Sequence, residues 1–121
     1  MSFREPTLPL QDILDSIVLI EEFTSGMNFD GFRADTRTVA AVERKLQLIS
    51  EAATRLGDMA DVVCPGQPWR NIRGMGNWLR HQYDQLDMQT VWNTLQNDLP
   101  PLKAAVTQAL NPLPPNSERK Q

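Results

Sequence analysis

Apolar residues recur three and four positions apart along most of this chain, a spacing that only an α-helix turns into a continuous buried face. Leu10, Ile13, Leu14, Ile17 and Ile20 form one such stripe, with Pro9 suited to its first turn and Ser25-Gly26 as its stop. Val39, Val42, Leu46, Ile49, Ala53 and Leu56 form a second and longer one, ended by Gly57. Residues 58–68 carry two prolines and a glycine and read as a connecting loop. From Trp69 to Tyr83 the stripe is less clean, but Met75 and Leu79 keep helical spacing and no two-residue alternation is visible. Asp87 is placed to cap a helix carrying Met88, Val91, Trp92 and Leu95. Asp98 is placed to cap again ahead of Pro100-Pro101, and Leu102, Ala105, Val106 and Ala109 continue an apolar face. Those prolines either kink one long helix or separate two short ones. The chain therefore reads as all-α, an up-and-down bundle of four to five helices over residues 1–110. Residues 111–121, with three prolines and no periodicity, read as a disordered tail.

Length and composition narrow the functional classes. A chain of 121 residues holds one core, and 40% apolar content is enough to pack it. Twelve Lys and Arg against fifteen Asp and Glu leave a net charge of −3, which argues against a globally basic nucleic-acid binder. One cysteine, Cys64, builds no internal disulfide and suits a reducing cytoplasm; with the one histidine, His81, it makes no zinc site. No metal or cofactor is expected. The longest strictly apolar run, Ile17-Val18-Leu19-Ile20, is far short of a membrane span, and the first residues carry no signal-peptide core.

The charge is unevenly placed. From Val62 to Tyr83 there is no Asp or Glu, yet Arg70, Arg73, Arg80 and His81 all fall there. At about 100° per residue, Arg73 and Arg80 leave a helix within about 20° of one another, two turns apart. Gly76 lies between them, so a backbone without a side chain faces the gap between two guanidinium groups, which are good bidentate partners for phosphate. Asn77 and His81, four apart, share the adjacent stripe.

Simpler roles compete for the same residues. Exposed arginines are commonly a solvated face, and a helix glycine commonly marks close packing. Cys64 has no basic sequence neighbour that would activate it as a nucleophile. Trp69, Trp78 and Trp92 are read as core anchors or interface residues before they are read as base-stacking platforms. Glu21, Glu22 and Glu51 are read as ordinary helix-surface carboxylates, and no His-Glu-x-x-His spacing is present.

Taken together, Trp69-Arg70-Asn71-Ile72, Gly74-Met75-Gly76-Asn77-Trp78-Leu79-Arg80-His81-Gln82-Tyr83, Asp87, Val91-Trp92 and Asn97-Asp98-Leu99-Pro100 resemble the HepT-like group of HEPN-domain proteins. Ile20-Glu21-Glu22-Phe23-Thr24 and Leu46-Gln47-Leu48-Ile49-Ser50-Glu51-Ala52-Ala53 are similar to the same group, and the resemblance covers about residues 8–110. It implies an all-α, homodimeric domain acting as the toxin of a type VII toxin–antitoxin pair. The implied activity is metal-independent endoribonuclease cleavage of RNA at a site shared across the dimer. The implied partner is a minimal nucleotidyltransferase of the MntA type, which neutralises the toxin by transferring AMP to the tyrosine two residues after the motif histidine, here Tyr83.

The family motif is an arginine, a polar residue and a histidine five positions after the arginine. Asn77, His81 and Tyr83 match, but Gly76 stands at the arginine position. Arg73, one turn back, and Arg80, one turn on, are the candidates to reach the same volume; Arg73 is preferred, with Arg70 and Arg80 on the flanking phosphates. In the implied chemistry His81 shuttles a proton near neutral pH, Asn77 orients the histidine or the phosphate, and the arginines offset the developing negative charge. A second reading follows from Gly76, in which the chain is a catalytically silent member that binds the nucleotidyltransferase or RNA as a dimer.

Overall fold

The computed structural model describes residues 5–81 and 87–111, and for Arg80 and His81 the backbone alone. Tyr83 and residues 112–121 lie outside the described residues.

The chain is all-α. Its helices are α1 (Thr7–Phe23), α2 (Phe29–Ala34), α3 (Thr36–Leu56), α4 (Met59–Val63), α5 (Trp69–His81), α6 (Met88–Asn93) and α7 (Leu99–Leu110), and a π-helical turn, Thr94–Asp98, joins the last two. Both long stripes read from the sequence are buried where the spacing put them: Leu10, Ile13, Ile17 and Ile20 on α1, and Val42, Leu46, Ile49, Ala53 and Leu56 on α3. α3 is the central element. It packs extensively against α1 on one flank and α5 on another, while α7 closes on α1. No helix among the described residues is long and apolar enough to cross a membrane.

Local chemistry explains the boundaries. The Asp35 carboxylate accepts from the Thr38 N–H at 3.0 Å and opens α3, and this bond holds its carboxyl below the usual carboxylate range. Gly57 ends α3 with φ of 55°, a conformation that favours glycine. Asn28 caps α2 by accepting from the Gly31 N–H at 2.8 Å, and Phe32 of that short helix is fully buried. Asp87 caps α6 through the Gln89 N–H at 3.0 Å, as the sequence suggested.

Two expectations are corrected. The stretch 58–68 is not all loop, because Met59–Val63 forms the single turn α4; it carries Ala60 into the core and places Cys64 beneath it. One buried side chain is too weak a periodic signal to read from sequence. Asp98 precedes α7 but makes no capping hydrogen bond through its side chain. The helix does not restart there. Pro100 and Pro101 have no N–H and crowd the carbonyls four residues back, and the backbone meets this by widening into the π turn, in which the Leu99 N–H reaches five residues back to the Thr94 carbonyl. The prolines therefore do not separate two helices: they follow a wide turn within one helical stretch.

Trp69 and Trp92 take structural positions. Trp69 is 2% exposed and its indole N–H donates to the Cys64 carbonyl at 2.9 Å, which fixes the start of α5 against the end of α4. Trp92 packs against Phe32 and Phe29, with ring centroids 5.2 and 6.4 Å apart. Replacing Trp69 by Phe keeps most of the apolar volume but leaves a buried carbonyl without its donor, so Trp69→Phe should lower unfolding stability by about 1–3 kcal/mol. Urea denaturation should show this as a lower midpoint at an unchanged slope.

Candidate active site

α5 is the element that carries the basic island, and it is seated on α3 by one buried hydroxyl. Ser50, 4% exposed, donates to the Arg73 carbonyl at 2.7 Å and accepts from the Gly76 N–H at 3.0 Å. A serine side chain can make both bonds only if the facing backbone comes close, and at this contact the α5 residue is glycine. Gly76 is itself buried. The position that lacks the motif arginine is thus where α5 meets α3.

Beside this contact lies an open hollow of about 270 Å³, lined by Ser50, Glu51 and Thr54 of α3 and by Arg73, Gly76 and Asn77 of α5. Arg73 is half-buried, and its Nη1 is buried with no hydrogen-bond partner among the described residues. A guanidinium nitrogen withdrawn from water without an acceptor is costly, and Glu51 is the one carboxylate among the residues lining the hollow. Asn77 is exposed on the rim, and the backbone of His81 follows one turn further along the same helix. Arg70 is exposed nearer the start of α5. Arg73, Gly76 and Asn77 are therefore brought together, whereas the side chains of Arg80 and His81, and all of Tyr83, lie outside the described residues.

The structure adds residues that sequence reasoning passed over. Ser50 was legible as a polar residue at a core position, four after Leu46, in an otherwise apolar stripe. Glu51, read as a surface carboxylate, lines the hollow with Arg73 while lying 4.0 Å from Arg44. Cys64 is buried, and burial pushes its thiol up from the ordinary value, the opposite of what a nucleophile needs.

The sequence profile described as Ribonuclease HepT-like matches residues 13–109, which includes α3, α5 and the hollow between them. The chain belongs to the HepT-like ribonuclease family. It is 38% identical over 94 residues to a Thermococcus cleftensis protein named "Probable ribonuclease HepT", covering 78% of this chain and 86% of that one. It is 31% identical over 106 residues to a Methanocaldococcus jannaschii protein named "Putative RNase MJ1380", covering 88% and 97% respectively. No solved structure matches the chain. Ribonuclease chemistry is thus the property named for this family.

A second hollow, of about 300 Å³, lies on the other flank of α5, between it and the stretch from α6 to α7. Met75, Leu99 and Leu102 form its buried floor, Trp78 is half-buried in its wall, and Asn71 and Asp98 stand exposed at its edge.

The seat of α5 is open to test. Ser50→Ala removes both hydrogen bonds between the helices at little cost in volume, and should lower unfolding stability by about 1–2 kcal/mol in thermal or urea denaturation.

Proposed function

We propose that this chain is a metal-independent endoribonuclease, the toxin of a toxin–antitoxin pair, working as a cytoplasmic homodimer in which the two copies of α5 face a common RNA groove. The observation that carries this reading is Arg73, which lines the hollow bordered by Gly76 and Asn77 and whose buried Nη1 has no hydrogen-bond partner among the described residues. Arg73 takes over the task of the arginine that the family motif has at position 76. Arg70 and Arg80 hold flanking phosphates, Asn77 orients the histidine or the phosphate, and His81 moves the proton.

The chemistry needs no more than these groups. His81 takes the proton of a ribose 2′-OH as that oxygen bonds to phosphorus, and the imidazolium so formed gives it to the departing 5′-oxygen as the bond from phosphorus breaks. Arg73 stabilises the charge that builds on the phosphorus oxygens between those events. Two-fold symmetry brings a second His81 and further arginines to the same groove and offsets the −3 charge of each chain.

His81→Ala should abolish cleavage of a mixed tRNA and mRNA pool by the purified protein in chelator, and Arg73→Ala should slow it by about 10²–10³-fold. Gly76 supports a second reading, a silent member that binds RNA or the nucleotidyltransferase without cutting. Absence of cleavage by the unmodified protein, with RNA binding retained, would establish that one instead.

Neutralisation follows from the same charge pattern. An MntA-type minimal nucleotidyltransferase transfers AMP to Tyr83, which places a bulky anion beside the basic face of α5 and repels RNA. Intact-mass measurement after co-expression with such an enzyme should show added AMP on the unmodified chain and none on Tyr83→Phe. Retention of the added mass in that variant assigns the acceptor elsewhere.

A further inference from the structure

We propose that the hollow between α5 and the π turn is a base-binding subsite that takes an unstacked guanine of the RNA; this rests on the ribonuclease reading above and adds substrate selection to it. The polarity of the hollow points to a base and not to a phosphate. Its floor of Met75, Leu99 and Leu102 is apolar, and Asp98 is the one charged side chain lining it among the described residues. Arg70 and Arg73 both lie outside it, and Arg73 lines the hollow on the opposite flank of α5. The helix between the two hollows is about 10–12 Å across with its side chains. A strand of RNA lying over α5 can therefore keep one of its phosphates among the arginines and turn the base of a neighbouring nucleotide to the other flank.

The lining also fits the chemistry of one base. Trp78, half-buried, lines the hollow with an indole, an aromatic of the kind that commonly stacks on an unstacked RNA base. Asp98 stands at the N-cap position of α7, yet its carboxylate is not used as a cap. It belongs to the π turn that the two prolines impose, a local distortion of a kind frequent at functional sites. A free carboxylate accepts hydrogen bonds only, and guanine is the base whose N1–H and N2–H present two donors side by side. The Asn71 amide can donate to the guanine O6. Adenine, cytosine and uracil each lack that adjacent donor pair. A volume of about 300 Å³ is at the small end for a ligand pocket and suits a single base.

The test titrates the full chain with guanosine, adenosine, cytidine and uridine 5′-monophosphates, following tryptophan emission, and maps cleavage sites on RNA of mixed sequence. Guanosine monophosphate should quench saturably and bind at least about tenfold more tightly than the other three. Trp78→Phe should remove most of the quenching, Asp98→Asn should erase the preference for guanosine, and cleavage sites should be enriched for a neighbouring guanosine in the unmodified protein but not in Asp98→Asn. Equal affinity for all four nucleotides, no saturable binding, or an unchanged preference in Asp98→Asn overturns the subsite. Shielding of Trp78 from acrylamide that grows with protein concentration, without nucleotide binding, assigns the hollow to a second copy of the chain and also overturns it. Guanosine binding without RNA cleavage would leave the subsite standing and remove the ribonuclease reading, whereas His81-dependent cleavage indifferent to guanosine would do the reverse.

Discussion

The seating of α5 on α3 is the constraint on which the rest of this molecule depends. α5 carries every basic residue of the acid-free stretch, and α3 is the helix against which it makes its extensive packing. At that interface a serine hydroxyl bonds to backbone atoms of the facing helix, 2.7 Å to one carbonyl and 3.0 Å from one N–H. Side chains of larger volume on α5 would hold the helices apart and break both contacts. Glycine at position 76 and serine at position 50 thus form one structural unit, and the same closeness leaves the hollow in which Arg73 is half-buried.

The position at which the family motif has an arginine lies at this interface, where the Gly76 N–H meets Ser50. Arg73 lies one turn earlier and lines the same hollow, and one of its guanidinium nitrogens is buried with no hydrogen-bond partner among the described residues. A buried donor without a partner is tolerated at a cost of order 1–3 kcal/mol, and such a cost is common where a ligand completes the site. Two surface ion pairs, by contrast, join neighbouring helices at exposed positions: Arg55 with Asp12 and Lys103 with Glu21 tie α3 and α7 to α1.

The π turn is the second place where local chemistry shapes a site. Two consecutive prolines remove the donors that would have continued the α-helix, and the widened turn sets Thr94 and Asp98 along a hollow whose other wall is α5. Trp69, anchored to the Cys64 carbonyl, fixes where α5 begins and so which of its residues face each hollow. The two flanks of α5 differ in consequence, one with an arginine and a glycine, the other with a tryptophan, an amide and a carboxylate.

The sequence by itself determined the helices of α1, α3 and α7, the caps at Asp87 and Gly57, and the basic stretch of α5, because period, cap chemistry and charge are properties of neighbouring residues. It also carried the family, through segments spread over most of the chain. It did not reveal α4, since one turn has too few buried positions to make a period, nor the π turn, since two prolines allow more than one local solution. Above all, it left Ser50 and Glu51 among ordinary helix positions. Tertiary structure alone placed Ser50 against Gly76 and opened the hollows on both flanks of α5, because a contact between residues 26 apart in sequence depends on how two helices pack and not on the local pattern of either.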